Sequence, residues 1–242
     1  ITEDEAKDFD TILSKAKVTF PLQNSWYING FYDGLSLFGE KGNDADAGMV
    51  FPKDGADITS YLVDVVANPN FSNDDGASGL AAIKDGSADV LFSGTWSAAD
   101  VKEALGDNYA ATKLPTYTVA GQEVQMASFS GFKLVGVNPY SENLGAAMDF
   151  AAFMTNEESQ VSRFAMRRQG PSNTKALASE VVQAEPAIAA IVAQAPYADV
   201  QRVGSKFWDT AAALGKIIVN GNPDGTDLQT LLDNCVAGIT AA

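Results

Sequence analysis

A chain of 242 residues is long enough for one large domain or two small lobes and can bury a substantial core. Its net charge of −15, with 16 basic residues dispersed along the chain and only Arg167-Arg168 adjacent, argues against nucleic acid, anionic ligands and acidic membrane surfaces as partners, and leaves neutral ligands open. Histidine is absent, which removes the commonest general base and zinc ligand together with every Ser-His or Cys-His arrangement, and the single Cys235 cannot form an intramolecular disulfide.

Helical spacing of Phe9, Ile12, Leu13 and Ala16 predicts a helix within Glu3 to Lys17, and Val18 to Leu22 reads as a short strand. A second helix is expected where Ile28, Phe31, Leu35 and Phe38 form one stripe. Gly39 to Gly55 reads as a loop-rich excursion with a hairpin or short strand pair around Met49-Val50-Phe51. Ile58 to Ala67 and Gly79 to Lys84 read as helices, the second stopping near Asp85-Gly86 before a strand at Ala88 to Phe92. Ala98 to Leu105 is a short helix. A strand at Ala110 to Leu114 and a hairpin around Gly121 follow, then an apolar strand at Phe132 to Val137. Ser141 to Asn156 is expected as a helix with Leu144, Ala147, Met148 and Ala151 inward, and Glu157 to Gln169 as another. Beyond Lys175 the pattern is helical, with breaks near Pro186, Pro196 and Asn220 to Gly225. The last helix has Thr226 and Gln229 as a capping box and an apolar stripe of Leu228, Leu231, Leu232, Cys235, Val236 and Ile239, on which Cys235 reads as a buried free thiol.

Three tryptophans stand among polar or small residues at the ends of these elements, in Asn24-Ser25-Trp26-Tyr27, Gly94-Thr95-Trp96-Ser97 and Lys206-Phe207-Trp208-Asp209. An indole in that setting suits a flat amphipathic ligand that stacks on the ring and hydrogen-bonds around its rim, as a sugar does. On an ideal helix Trp26 falls about 160° from Ile28 and points away from the buried face. Trp96 follows directly on a strand, at the carboxyl end where ligands of open α/β sheets bind. Trp208 borders the Phe207, Ala211, Leu214, Ile218 stripe, where core packing and ligand contact are equally open.

No glycine-rich phosphate loop or dinucleotide fingerprint occurs. Asn220 to Gly225 starts like a calcium loop, but position twelve is Leu231 instead of Glu, so it reads as a turn and no metal or cofactor is expected. Asp74-Asp75 and Asp44/Asp46 sit in Gly/Asn-rich loops and read as solvated turn residues, not as a catalytic pair.

The stretch from Leu80 to Trp96, with its small helix, Gly86, strand and Gly94-Thr-Trp96, resembles a segment of the maltose/maltodextrin-binding-like extracellular solute-binding proteins of ABC sugar importers. Leu114-Pro115, Ser130-Gly131-Phe132 to Asn138, Ala146 to Glu157, Arg168-Gln169-Gly170-Pro171, Ser205-Lys-Phe207-Trp208 and Phe20 to Tyr27 follow that family's order. The resemblance implies a periplasmic-binding-protein type II-like α/β lobe, a mixed sheet flanked by helices with a helical carboxyl-terminal part. It implies stacking aromatics at Trp26, Trp96 and Trp208, with Asn24 and Tyr27 beside the first. Thr95 stands where the family usually has Pro, Asn24 where the maltose binder has a carboxylate, and Ala212 where a basic residue is usual.

Roughly the first third of the family's pattern is missing, and Ile1 follows no leader. The expectation is a processed or truncated form of an exported protein, extracellular or periplasmic, with lipid anchoring at the surface as one form of attachment. Residues 1–131 and 183–242 would form most of one lobe, and 132–182 would belong to the other. The implied function is non-enzymatic binding of a maltodextrin-like oligosaccharide for delivery to importer membrane subunits. The alternatives are a sugar sensor or adhesion module on the same fold and, against the missing histidine and carboxylate pair, a glycoside-processing enzyme. Another copy of the chain, or the absent lobe, would cover the exposed face.

Overall fold

The computed structural model describes residues 1–32 and 35–241, and the fold is mixed α/β. The chain divides into two compact units. One comprises Ile1–Ser93, Lys113–Ser130 and Gln194–Ala242, the other Gly94–Thr112 and Gly131–Ala193.

The first unit is built on three parallel strands in the order β4 (Phe71–Asn73), β1 (Val18–Phe20), β5 (Val90–Leu91). All three residues of β1 are buried, as expected of a central parallel strand covered on both faces. Phe9, Phe20, Phe31 and Phe92 meet edge-on or tilted around it at 4.9–6.4 Å between centroids. The helices Phe9–Lys15, Gly55–Val66, Ser205–Val219 and Leu228–Thr240 add Ile12, Leu13, Ile58, Leu62, Leu214, Ile218, Leu231 and Leu232 to the same core. Smaller pairs complete the unit: β2 (Ser36–Leu37) with β3 (Met49–Val50), the hairpin β6 (Thr116–Val119) and β7 (Gln122–Gln125), and β8 (Ser128–Ser130) parallel to β9 (Ala198–Val200). The hairpin turns on Ala120 and Gly121, both at positive φ (49° and 76°), as a tight hairpin turn requires.

Several expectations change here. In place of a helix through Ile28 to Phe38 there is one 3-10 turn, Ile28–Phe31. The Gly30 and Tyr32 N–H groups close tight local turns onto the Tyr27 and Asn29 carbonyls, Ala127 donates its N–H to the Gly30 carbonyl at 2.8 Å, which a continuing helix would have used, and the chain leaves to form β2. Asp33 and Gly34, inside the expected helix, lie outside the described residues. Ala110 to Leu114 carries no strand, and β9 arises where only helices were expected. The last helix is capped by Asp227, whose carboxylate accepts from the Thr230 N–H at 2.9 Å, while Gln229 bonds to Asp233. Asn222 brackets Thr226 with both side-chain atoms, which closes the preceding loop upon itself.

The second unit is mostly helical. Its core is small, Phe164, Val182 and Ile188 with Leu177 against them. The helix Glu157–Arg167 starts at Asn156, which caps the Ser159 N–H at 2.8 Å, and Gln160 ties the unit together by accepting from the Ser172 and Asn173 N–H groups. The apolar run Phe132 to Val137, expected as a strand, pairs with no described strand and is exposed, Leu134 to 88%. A strand forms only where a neighbour takes up its backbone groups, and here none does. In the helix Leu144–Thr155 the expected inward residues Leu144 and Met148 are exposed, and Ala147 and Ala151 are half-buried.

Candidate functional site

The segment after β1 turns sharply at Asn24. Its side-chain oxygen accepts the Trp26 N–H at 2.8 Å, and its carbonyl accepts the N–H groups of Tyr27 and Ile28, both at 3.0 Å. Asn24 therefore sets the backbone that presents Trp26. Ile28 drops into the core, while Trp26 stays half-buried. The Tyr27 ring packs edge-on against Phe20 at 6.2 Å, and its hydroxyl bonds to Ser93. Burial, with the Asp74 charge nearby, pushes this phenol above its ordinary range, so Tyr27 is a neutral packing group with a polar tip.

Trp208 comes from the first turns of the helix Ser205–Val219. Phe207, Ala211, Leu214 and Ile218 form the helix's buried face, and Trp208 lies half-buried at its border. Lower on this helix, a Cβ at Gly215 would stand 2.8 Å from Gln23 Cα and 2.9 Å from the Leu22 carbonyl oxygen. Only glycine allows the helix to approach the Trp26 segment so closely. The outcome is a pair: the Trp26 and Trp208 rings are 13° from parallel with centroids 6.2 Å apart. Phe129 supports both, at 5.3 Å from Trp26 and 6.2 Å from Trp208.

Phe129 was not singled out from the sequence. Its only signal is the alternation Ser128-Phe129-Ser130, which becomes a strand through pairing with Ala198–Val200.

Trp96 belongs to the second unit, in a 3-10 turn Thr95–Ser97, and is 68% exposed. Its indole lies so close over Gly94 that a Cβ there would meet ring carbons at 2.3 Å.

Asp74 and Asp75, expected as solvated turn residues, separate. Asp74 is only 8% exposed, because its Oδ1 accepts from the N–H groups of Gly76 and Gly79 and from the Ser78 hydroxyl, anchoring the start of the helix Ser78–Asp85. Asp75 is exposed and accepts from the Ser78 and Ala77 N–H groups, which hold its carboxyl below the usual range. Both carboxylates serve as caps. Cys235 is buried in the last helix, and burial pushes its thiol up to about 11.

The first unit thus presents a parallel pair of half-buried indoles backed by Phe129. The chain belongs to the bacterial extracellular solute-binding protein family, whose pattern matches residues 1–190. A solved structure determined with acarbose superposes with a TM-score of 0.87 at 36% identity, over 99% of this chain and 65% of that one. The maltodextrin-binding protein MalE1 from L. casei BL23, solved without ligand, gives 0.86 at 25% identity, over 100% and 67%. A galactooligosaccharide-binding protein of Bacillus subtilis (strain 168) is 32% identical over 96 residues, 40% of this chain and 22% of that protein. The chain thus spans about two thirds of the solved relatives and a fifth of the curated one. No helix among the described residues is long and apolar enough to cross a membrane.

Proposed function

We propose that this chain carries the sugar-stacking face of a receptor for neutral, maltodextrin-like oligosaccharides, which it binds without turning over and delivers to the membrane subunits of an ABC importer. The observation that carries this reading is the parallel Trp26–Trp208 pair backed by Phe129. Pyranose rings present apolar C–H faces to such indoles and hydroxyls to the amides and carboxylates at the rim. Trp96 is the third stacking residue in this proposal, and Asn24 and Tyr27 border the first. A net charge of −15 supports a neutral ligand over a phosphorylated one. The two solved relatives, one bound to acarbose and one described as maltodextrin-binding, point to the same ligand class.

Residues 132–182 are proposed to belong to a second lobe, completed by further chain in a longer, exported protein. Its place is outside the cytoplasm, extracellular or periplasmic, with a lipid anchor as one means of attachment. The B. subtilis relative makes galactosidic linkages the second reading of the ligand.

Tryptophan emission titrated with maltodextrins, galactooligosaccharides, phosphorylated sugars and amino acids tests the reading. Maltodextrins are expected to shift the emission and the last two groups are not. A response to galactooligosaccharides alone would reassign the linkage, and flat titrations with every neutral oligosaccharide would remove the sugar assignment.

A further inference from the structure

The tryptophan pair leans on Phe129, and the strand that carries Phe129 is held weakly by its own pairing. Strand β8 is three residues long and lies in a two-stranded sheet with β9, parallel, the less stable of the two strand arrangements. From Phe129, ring contacts run to Trp26 at 5.3 Å, to Phe207 at 5.8 Å and to Trp208 at 6.2 Å. A shift of β8 is therefore felt by both indoles.

The side chain of Gln194, only 9% exposed, supplies the missing hold. Its Oε1 accepts the Leu114 N–H at 3.0 Å, and its Nε2 donates to the Met126 carbonyl at 3.1 Å and to Ser128 Oγ at 3.4 Å. These partners stand 80, 68 and 66 positions away along the chain, all within the first unit. One amide thus grips the backbone just before β8 and the first residue of β8 itself. A second amide works beside it. Gln125 Nε2 donates to the Leu114 carbonyl at 2.7 Å and to the Met126 carbonyl at 3.2 Å, so Leu114 is fixed at its N–H by Gln194 and at its carbonyl by Gln125.

This hold requires a primary amide, which places one acceptor and two donors in a single plane. A carboxylate would keep the acceptor and lose both donors, and an apolar side chain would lose all three bonds. Burying an amide is unfavourable unless it is bonded, and each bond of this one goes to the segment that carries Phe129 or to Leu114 beside it. None of these bonds reaches an indole, so the influence of Gln194 on the pair passes through Phe129.

We infer that Gln194 is a positioning residue for the stacking site: by fixing Met126 and Ser128 it sets Phe129, and Phe129 sets the parallel arrangement of Trp26 and Trp208. Its consequence for affinity rests on the sugar-binding reading above, whereas its consequence for the rings does not.

Near-ultraviolet circular dichroism without ligand, which reads the coupling of two close indoles, tests it together with calorimetry with maltotriose and the melting midpoint. The proteins compared are the wild type, Gln194→Ala, Gln194→Met and Thr59→Val. Methionine keeps the length of the side chain and leaves the Met126 carbonyl with its bond from Gln125, so Gln194→Met carries the test if Gln194→Ala does not fold. Thr59→Val is the control for general loosening. It removes a fully buried hydroxyl that bonds to the Tyr32 hydroxyl at 2.9 Å and to the Gly55 carbonyl at 2.8 Å in the same unit. The Gln194 variants are expected to alter the ligand-free tryptophan signal and to bind maltotriose about tenfold more weakly. Thr59→Val is expected to melt earlier with the signal and affinity of the wild type. A wild-type signal in Gln194→Met, or the same altered signal in Thr59→Val, would overturn the positioning of the pair. An altered signal with wild-type affinity would overturn its part in binding. Absence of binding by the wild-type protein to any neutral oligosaccharide would instead remove the sugar-binding reading, and the ligand-free signal would still decide whether Gln194 sets the pair.

Discussion

A half-buried indole beside another packs within the fold and, in the function proposed above, also meets the ligand, and truncation separates the two contributions. Trp208 packs against Phe207 at 5.1 Å and against Phe129, so Trp208→Ala is expected to lower stability as well as sugar affinity. Removing its stacking face should cost about 1–3 kcal/mol of binding. Trp96 has no such double role. At 68% exposure its loss should move stability by no more than about 0.5 kcal/mol, while sugar affinity falls by an amount similar to that for Trp208. Denaturation midpoints measured beside calorimetric titrations check both. A large stability loss in Trp96→Ala with unchanged affinity would return that residue to a packing role. The tryptophans were legible in the sequence because their neighbours are polar, and a core indole seldom keeps such company. Phe129 was not, because its place depends on a strand partner some seventy positions along the chain. Nor was the burial of Asp74, which follows from the backbone N–H groups it caps and not from its glycine- and aspartate-rich surroundings.

Between elements, the pair depends on close approach. Replacing Gly215 by alanine would gain up to about 1 kcal/mol of helix propensity but would drive a methyl group into the backbone at Leu22 and Gln23, an overpacking that costs about 1–3 kcal/mol. The clash is expected to win. Gly215→Ala should melt earlier and bind sugar more weakly, although residue 215 is two turns from Trp208 on its helix. A crystal structure or the near-ultraviolet tryptophan signal would report the altered pair.

The last helix offers a pH test. Its cap Asp227 is held below the usual carboxylate range by the Thr230 N–H and hydroxyl. A depressed native pKa means that the stabilisation is complete above the unfolded value near 4 and is lost as pH falls through the lower native value. Asp227→Asn keeps an acceptor that does not titrate, so its acid-unfolding curve should be flatter than that of the wild-type protein. Identical acid profiles would mean that the cap charge contributes nothing. The helices Gly55–Val66, Ser205–Val219 and Leu228–Thr240 were legible because a long apolar stripe repeats its signal over several turns. The stretches Ile28 to Phe38 and Phe132 to Val137 were not, because a short apolar run takes whichever backbone its neighbours can satisfy.

At the scale of the whole molecule the two units differ in how well they bury what their sequences ask them to bury. The first gathers its large apolar residues around β1, and among the described residues of the second the large apolar side chains that are buried are Phe164, Val182 and Ile188. Phe132, Leu134, Tyr140, Met148, Phe150 and Phe153 are all exposed in the second unit, and the run from Phe132 to Val137 also presents unpaired backbone. So many exposed large apolar residues, together with an unpaired strand sequence, promote association. The chain spans 65–67% of its solved relatives, and the lobe proposed above assigns this surface to contacts with further chain in a longer protein. Two measurements follow. The 242-residue chain should self-associate in light scattering at micromolar concentration, and the double substitution Leu134→Asp, Phe153→Asp should return it toward a monomer without lowering the melting midpoint of the first unit, to which neither residue belongs. A longer protein that includes the missing third should be monomeric without those substitutions and should bind oligosaccharide more tightly. In an open half-site each hydrogen bond to the sugar competes with water and stays near the low end of about 0.5–1.5 kcal/mol. A monomeric 242-residue chain with an affinity equal to that of the longer protein would show that the second unit needs no cover and that these 242 residues already hold the complete site.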